Sequence, residues 1–331
     1  MGQKLKIMKA IVCKEFGPPE KLSYEELALP APGPTQVRIK VEAAGVNFPD
    51  VLIIQNKYQF KGTPPFAPGG EVCGTVIEVG SKVSSPKVGE RVAALTMSGG
   101  FAQECNAPAA ACVAVPDSMS SAIAAGFHLV YGTVIHALKD RGQLAQGENL
   151  LVLGASGGVG LGAVQIGKIM GARVIAAASS PEKLAVCKEQ GADELIDYSK
   201  ELLKDAVKKL TGGKGADVIF DPVGGQFAQD AFSCINWKGR HLVIGFASGP
   251  IPEIALNRLL LKGAASLGVF WGAFTQREPE AQAANVRQLY DWVAQGKLKP
   301  LITREYPLAQ GAQALRDMME RKVTGKVVLM A

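Results

Sequence analysis

The chain carries two different hydrophobic rhythms. Up to about residue 115, short apolar runs such as MKAIVC, QVRIKVEAAGV, EVCGTVIEVG and ERVAAL are separated by the proline–glycine clusters GPPE, LPAPGPT and TPPFAPGG. Strands of this length at this spacing predict a compact β-barrel or sandwich. After about residue 122 the pattern changes. Apolar strands (ENLLVLGA, RVIAAAS, ELIDYS, ADVIFDPVG, RHLVIGFA, ASLGVFW) follow one another, and helices are predicted over 159–170, 181–190, 200–211 and 225–235. Near-continuous apolar strands alternating with helices predict an α/β, doubly wound parallel sheet of about six strands. From about 298 a short strand, a helix over 308–320 and the apolar strand KVVLM depart from that alternation. The tail is expected to pair back with the N-terminal β-rich part.

Composition narrows the class without changing this picture. The 331 residues, 47% hydrophobic and 20% charged, suit about two globular domains rather than a disordered chain. The net charge of +6 is spread along the chain. Its densest cluster, KDAVKKLTGGKG, reads as the solvated face of an amphipathic helix, so nucleic acid is not the expected partner. Six cysteines form no C-x-x-C pair, which argues against a zinc lobe or a redox dithiol and for buried, reduced thiols in a cytoplasmic protein. The N-terminus shows no apolar core of a secretory signal. Residues 118–138 carry no formal charge and are long enough to span a bilayer. Their serines, histidines and glycines, with Asp117 as an N-cap, predict instead two buried helices broken near Gly126. A membrane partner is therefore not expected.

The chemistry is most legible at LLVLGASGGVGLGAVQ. A strand ends at a turn built of Gly154, Ala155, Ser156, Gly157 and Gly158, and a helix begins near Val159. Small residues allow the backbone to turn tightly and approach a pyrophosphate, and the helix N-terminus offers free N–H groups. Gly160 and Ala163 allow the helix to pack close to its strand. The next strand ends in Ala178, Ser179 and Ser180, where an acid would bind a ribose 2′-hydroxyl and repel a 2′-phosphate. Two hydroxyls, with Lys183 on the following helical turn, predict NADP(H) rather than NAD(H). Ser180 also fits as an N-cap before Pro181.

These motifs, together with AAGVNFPDVL and PGGEVCGTVIEVG, resemble the zinc-free medium-chain dehydrogenase/reductase family, in its quinone oxidoreductase (zeta-crystallin-like) branch. The likeness runs from Met8 to Met330. It implies a GroES-like, β-rich catalytic domain over 1–124 and 298–331, and a Rossmann NADP-binding domain over 125–297. It further implies a homodimer in which strands near 264–271 pair across the interface. In zinc-dependent relatives a Cys stands where this chain has Asn47 and a His where it has Gly70, while Glu71 remains; no metal is expected. By the same resemblance Asn47 lies near the nicotinamide ribose and Thr133 near the carboxamide or diphosphate. Tyr198 would line the 2′-phosphate pocket with Ser179 and Lys183. Gly245, Phe246 and Ala247 would face the nicotinamide. Phe270 and Trp271 would do so on the next strand, and Lys326 would reach the cofactor from the tail. Ala155, Ser156, Gly157, Gly158 and Val159 would seat the pyrophosphate. The branch often has a tyrosine where Leu52 stands here, which leaves Tyr58 and Tyr131 as phenols able to donate a proton from a cleft wall.

The expected activity is NADPH-dependent reduction of a quinone, a small electrophilic substrate, by hydride transfer. The alternative acceptor is an activated C=C bond of an enone, alkenal or enoyl thioester. A cofactor-binding protein with little catalysis is the third possibility the sequence leaves open.

Overall fold

The computed structural model describes residues 5–331. The chain forms two compact units: Met1–Leu129 with Leu301–Ala331, and Val130–Pro300.

The first unit is β-rich. Its principal sheet has seven strands, with Gln36–Gly45 at its centre between Glu71–Val79 and Lys326–Met330. The tail strand lies antiparallel to Gln36–Gly45, with Val328 opposite Gly45 and Leu329 opposite Ala44. Ile302–Pro307 then pairs parallel to the tail strand on its outer side. The return predicted for the tail follows from its own pattern: Val327, Val328 and Leu329 are all fully buried, and nearly all of this strand's apolar surface is removed from water. Lys6–Cys13 and Leu22–Leu29 form a separate antiparallel pair.

The second unit is a six-stranded, all-parallel sheet. Its order across the sheet is Glu194–Asp197, Arg173–Ala178, Asn149–Leu153, Ala216–Asp221, Ile235–Val243, Ala265–Gly268. Numbered along the chain this is 3-2-1-4-5-6, the doubly wound order, which reverses direction beside the first strand. Leu151, Leu153, Ile175, Ala177 and Ile219 are buried on one face, and the alternate residues Leu150, Val152, Val174, Ala176 and Val218 are buried on the other, which explains the unbroken apolar runs: both faces of the strands are covered.

Four local readings are corrected. Ser120, not Asp117, caps the helix Ser121–Ala125, its Oγ accepting from Ile123 N at 3.3 Å. The second helix of that segment, His128–Ile135, runs on as a wider turn of π-helix to Arg141. The last strand of the parallel sheet stops at Gly268, so Phe270 and Trp271 stand at the start of the helix Trp271–Arg277 and not on a strand. A helix at Leu256–Lys262, absent from the predicted elements, closes on Gly263 in the left-handed region.

The six cysteines are unpaired, and all but Cys112 are buried. Burial pushes the thiols of Cys105, Cys187 and Cys234 up to about 12, so they pack as small apolar groups. Among the described residues no helix is long and apolar enough to cross a membrane.

Candidate functional site

The parallel sheet brings the glycine turn to the edge where its order reverses. Gly157 is the N-cap of the helix Gly158–Ile169, and no side chain caps that end, which leaves its first-turn N–H groups without a side-chain acceptor. The turn is tight: a Cβ on Gly160 would lie 2.3 Å from the carbonyl oxygen of Gly154 and 2.8 Å from Ala155 Cα. Ala155 and Ser156 are buried. This is a cradle for a group with many acceptor oxygens, and it fits a pyrophosphate.

The neighbouring strand ends at Ala178, and sheet register does the rest. Tyr198 follows the strand paired with it, and its N–H donates to Ala178 O at 3.2 Å. Tyr198 therefore stands beside Ser179. Its ring lies 4.7 Å from that of Phe227. Lys183 Nζ is 3.3 Å from Ser179 Oγ, while Ser180 Oγ accepts from Lys183 N at 3.4 Å as the helix cap. The serines divide their work: one holds the helix, the other presents a hydroxyl with the lysine.

Two loops at the carboxyl ends of the strands are tied to each other. Asp221 Oδ1 accepts from Val223 N and Gly224 N at 2.9 and 2.8 Å, and its other oxygen is 2.9 Å from His241 Nε2. Ala247 N and Ser248 N donate back to Pro222 O and Val223 O. These bonds hold Gly245, Phe246 and Ala247 in place. Asp221 thus serves as a structural turn residue, and His241, which the sequence did not mark, completes the brace. Phe270 is largely exposed, whereas Trp271 is buried with its indole N–H on Gln282 and its ring over Gly132. Thr133 is buried on the helix His128–Ile135. The Tyr131 phenol is buried and donates to Gln165 Oε1 at 2.9 Å, a bond that joins two helices.

In the β-rich unit the structure unites residues that the sequence kept apart. Asn47 is 5% exposed and turned inward. Its amide donates to Gly45 O and Glu71 Oε2 at 3.2 and 3.3 Å, and its Oδ1 accepts from Lys326. Lys326, expected at the cofactor, is equally buried and engaged here. Asp50 accepts from Asn47 N at 2.8 Å. Tyr58 is half-buried, and burial followed by the nearby Asp50 carboxylate raises its phenol, which keeps it protonated.

Burial pushes Asp50 up to about 7, against the pull of the Asn47 and Gly69 amides and the Lys326 ammonium. A carboxyl whose folded value exceeds its unfolded one stabilises the fold fully at low pH, and the contribution is lost as pH rises through about 7. Relative to Asp50→Asn, the wild type should lose about 4 kcal/mol of stability between about pH 4 and pH 8. Urea unfolding at several pH values measures this; a pH-independent difference would disprove it.

These donors do not fit zinc. Among the described residues there is no group of three or more His, Cys, Asp or Glu placed to hold a metal. An ammonium lies against Glu71 and Asn47 instead.

Comparison with known proteins agrees with this geometry. A family model described as "Alcohol dehydrogenase GroES-like domain" matches residues 33–117, and one described as "Zinc-binding dehydrogenase" matches 158–287. A "Quinone oxidoreductase-like protein 2 homolog" of Nematostella vectensis is 40% identical, covering 98% of this chain and 89% of that protein. The crystal structure of Escherichia coli quinone oxidoreductase complexed with NADPH superposes with a TM-score of 0.92 at 27% identity, covering 98% of this chain and 100% of that one. A CurK enoyl reductase structure gives a TM-score of 0.87 at 26% identity, covering 98% and 99% of the two chains. The β-rich GroES-like unit, the Rossmann sheet with its glycine turn, and full-length likeness to quinone oxidoreductases converge: this chain belongs to the quinone oxidoreductase branch of the medium-chain dehydrogenase/reductase family.

Proposed function

We propose that this protein is an NADPH-dependent oxidoreductase that reduces quinones without a metal. The observation that carries the cofactor is the Ser179–Lys183–Tyr198 group beside an uncapped helix end. We assign cofactor binding to the unit Val130–Pro300 and substrate handling to the unit built from both chain ends. NADPH, when bound, supplies a hydride from its nicotinamide. Gly158 and Val159 offer first-turn amides to the pyrophosphate, with Ala155, Ser156 and Gly157 shaping the turn, the Gly157 N–H donating to Gly154 O at 3.0 Å. Ser179 and Lys183 take the 2′-phosphate, and Tyr198 lies along it. The braced loop Gly245–Ala247 faces the nicotinamide, with Thr133, Phe270 and Trp271 completing that end. Tyr58 donates a proton where the acceptor needs one.

A quinone acceptor is supported by the family and by the mismatch to zinc, because an electron-poor ring accepts a hydride without a Lewis acid. The second reading, reduction of an activated C=C bond, is favoured by the likeness to an enoyl reductase. Steady-state NADPH oxidation with matched quinones and enones decides between them. We expect the higher kcat/KM for quinones; turnover with enones alone would overturn the assignment, and none with either would remove the enzyme reading.

We also assign a homodimer. Ala265–Gly268 is an edge strand, and Leu256, Leu260 and Leu261 on the preceding helix are 77%, 80% and 70% exposed. An open edge flanked by apolar side chains fits a second copy of the same chain. Sedimentation at micromolar concentration tests this, and a monomer there would exclude it.

A further inference from the structure

We infer that Lys326 is a resident internal cation, a positioning residue whose ammonium holds Asn47 and Glu71 where a metal ion would otherwise be needed to hold them. Three oxygens surround its nitrogen: Val46 O at 3.2 Å, Asn47 Oδ1, and Glu71 Oε2 at 3.4 Å. A backbone carbonyl, an amide oxygen and a carboxylate make a hard, all-oxygen set that suits an ammonium or a hard divalent cation and lacks the soft ligands zinc prefers. All three N–H donors of the ammonium find acceptors, as a fully buried cation requires.

The surroundings are shaped for this cation. Glu71 is completely buried; its Oε1 accepts from Leu129 N at 2.9 Å, and its Oε2 takes both Asn47 and Lys326. A Cβ on Gly126 would lie 2.9 Å from Lys326 Cγ, and one on Gly45 would lie 2.8 Å from Glu71 Oε2, so glycine at both places leaves room for the pair. Asp50, also buried, accepts from the Asn47 backbone. Among the described residues, Lys326 is the cation paired with Glu71, 3.4 Å from its carboxylate. With it, the Asn47 amide is oriented by three bonds, and the chain turn entering the helix Phe48–Ile54 is fixed from both sides.

The test uses full-length wild type, Lys326→Met, Lys326→Ala, Lys326→Met/Glu71→Gln and Lys326→Ala/Glu71→Gln. Lys326→Met should lower the thermal midpoint by about 6–15 °C, the cost of stranding a buried carboxylate. Lys326→Met/Glu71→Gln should regain at least half of that loss, because it strands no charge. Mn2+ is the second probe: it should raise the midpoint of Lys326→Ala in a dose-dependent way, and leave the wild type and Lys326→Ala/Glu71→Gln unmoved. A merely space-filling lysine predicts neither the recovery nor the metal response. If Lys326→Met fails to fold while the double variant folds, the pairing holds. If the double variant is as unstable as the single one, or Mn2+ acts equally on all proteins, the inference is overturned.

Discussion

Lys183→Ala should weaken NADPH binding roughly 10–100-fold while changing NADH binding by no more than about twofold, because a charge-assisted bond to phosphate contributes about 1.5–3 kcal/mol. The asymmetry comes from what each cofactor offers. Only NADPH has a 2′-phosphate, and only its dianion rewards an ammonium held 3.3 Å from the Ser179 hydroxyl. Ser180 gives little to this contrast, since its oxygen caps the helix that carries Lys183. Fluorescence titration of both cofactors measures the ratio. Equal weakening of the two would show that Lys183 acts on the helix and not on the phosphate.

Gly160→Ala is expected to reduce affinity for both cofactors by roughly 10–100-fold, since overpacking costs about 1–3 kcal/mol when the obstacle cannot move aside. Here the obstacle is backbone: the carbonyl of Gly154 would be 2.3 Å from the new methyl group. Either the helix retreats from the strand or the turn opens, and both displace the first-turn amides. Gly268→Ala is the control, because a Cβ there meets nothing within 4 Å and the residue lies outside the glycine turn. Calorimetric titration of the two variants separates the cases. If Gly160→Ala binds NADPH as well as the wild type, the turn is not the pyrophosphate seat. Loss with NADPH and NADH alike distinguishes this variant from Lys183→Ala.

The two halves of the cofactor region were legible to different degrees. The glycine turn and the serine–lysine end lie within about 30 residues of each other, and strand, turn and helix are local patterns set by side-chain periodicity and by the room glycine leaves. Tyr198 is less local, yet parallel pairing of two neighbouring strands carries it to Ala178 by register alone. Phe270 and Trp271 were misread as strand because a short apolar run fits a strand and a buried helix start equally well. The hydrogen bond from the Tyr131 hydroxyl to Gln165 was not legible, because the two residues are 34 positions apart and only helix packing brings them together.

By itself the sequence determined the α/β class, the six-strand alternation, the returning tail and the small-residue turn, since each follows from hydrophobic period and backbone freedom over a few neighbouring residues. Only the tertiary structure decided what Asn47 and Lys326 do. They are 279 residues apart, and they meet because the tail strand pairs with Gln36–Gly45 in one register. A shift of one residue would turn the side chains of that strand to its opposite face. The meaning of the buried lysine thus lies in the sheet that closes both ends of the chain around it, because a buried charge takes its role from whatever opposite charge the fold places beside it.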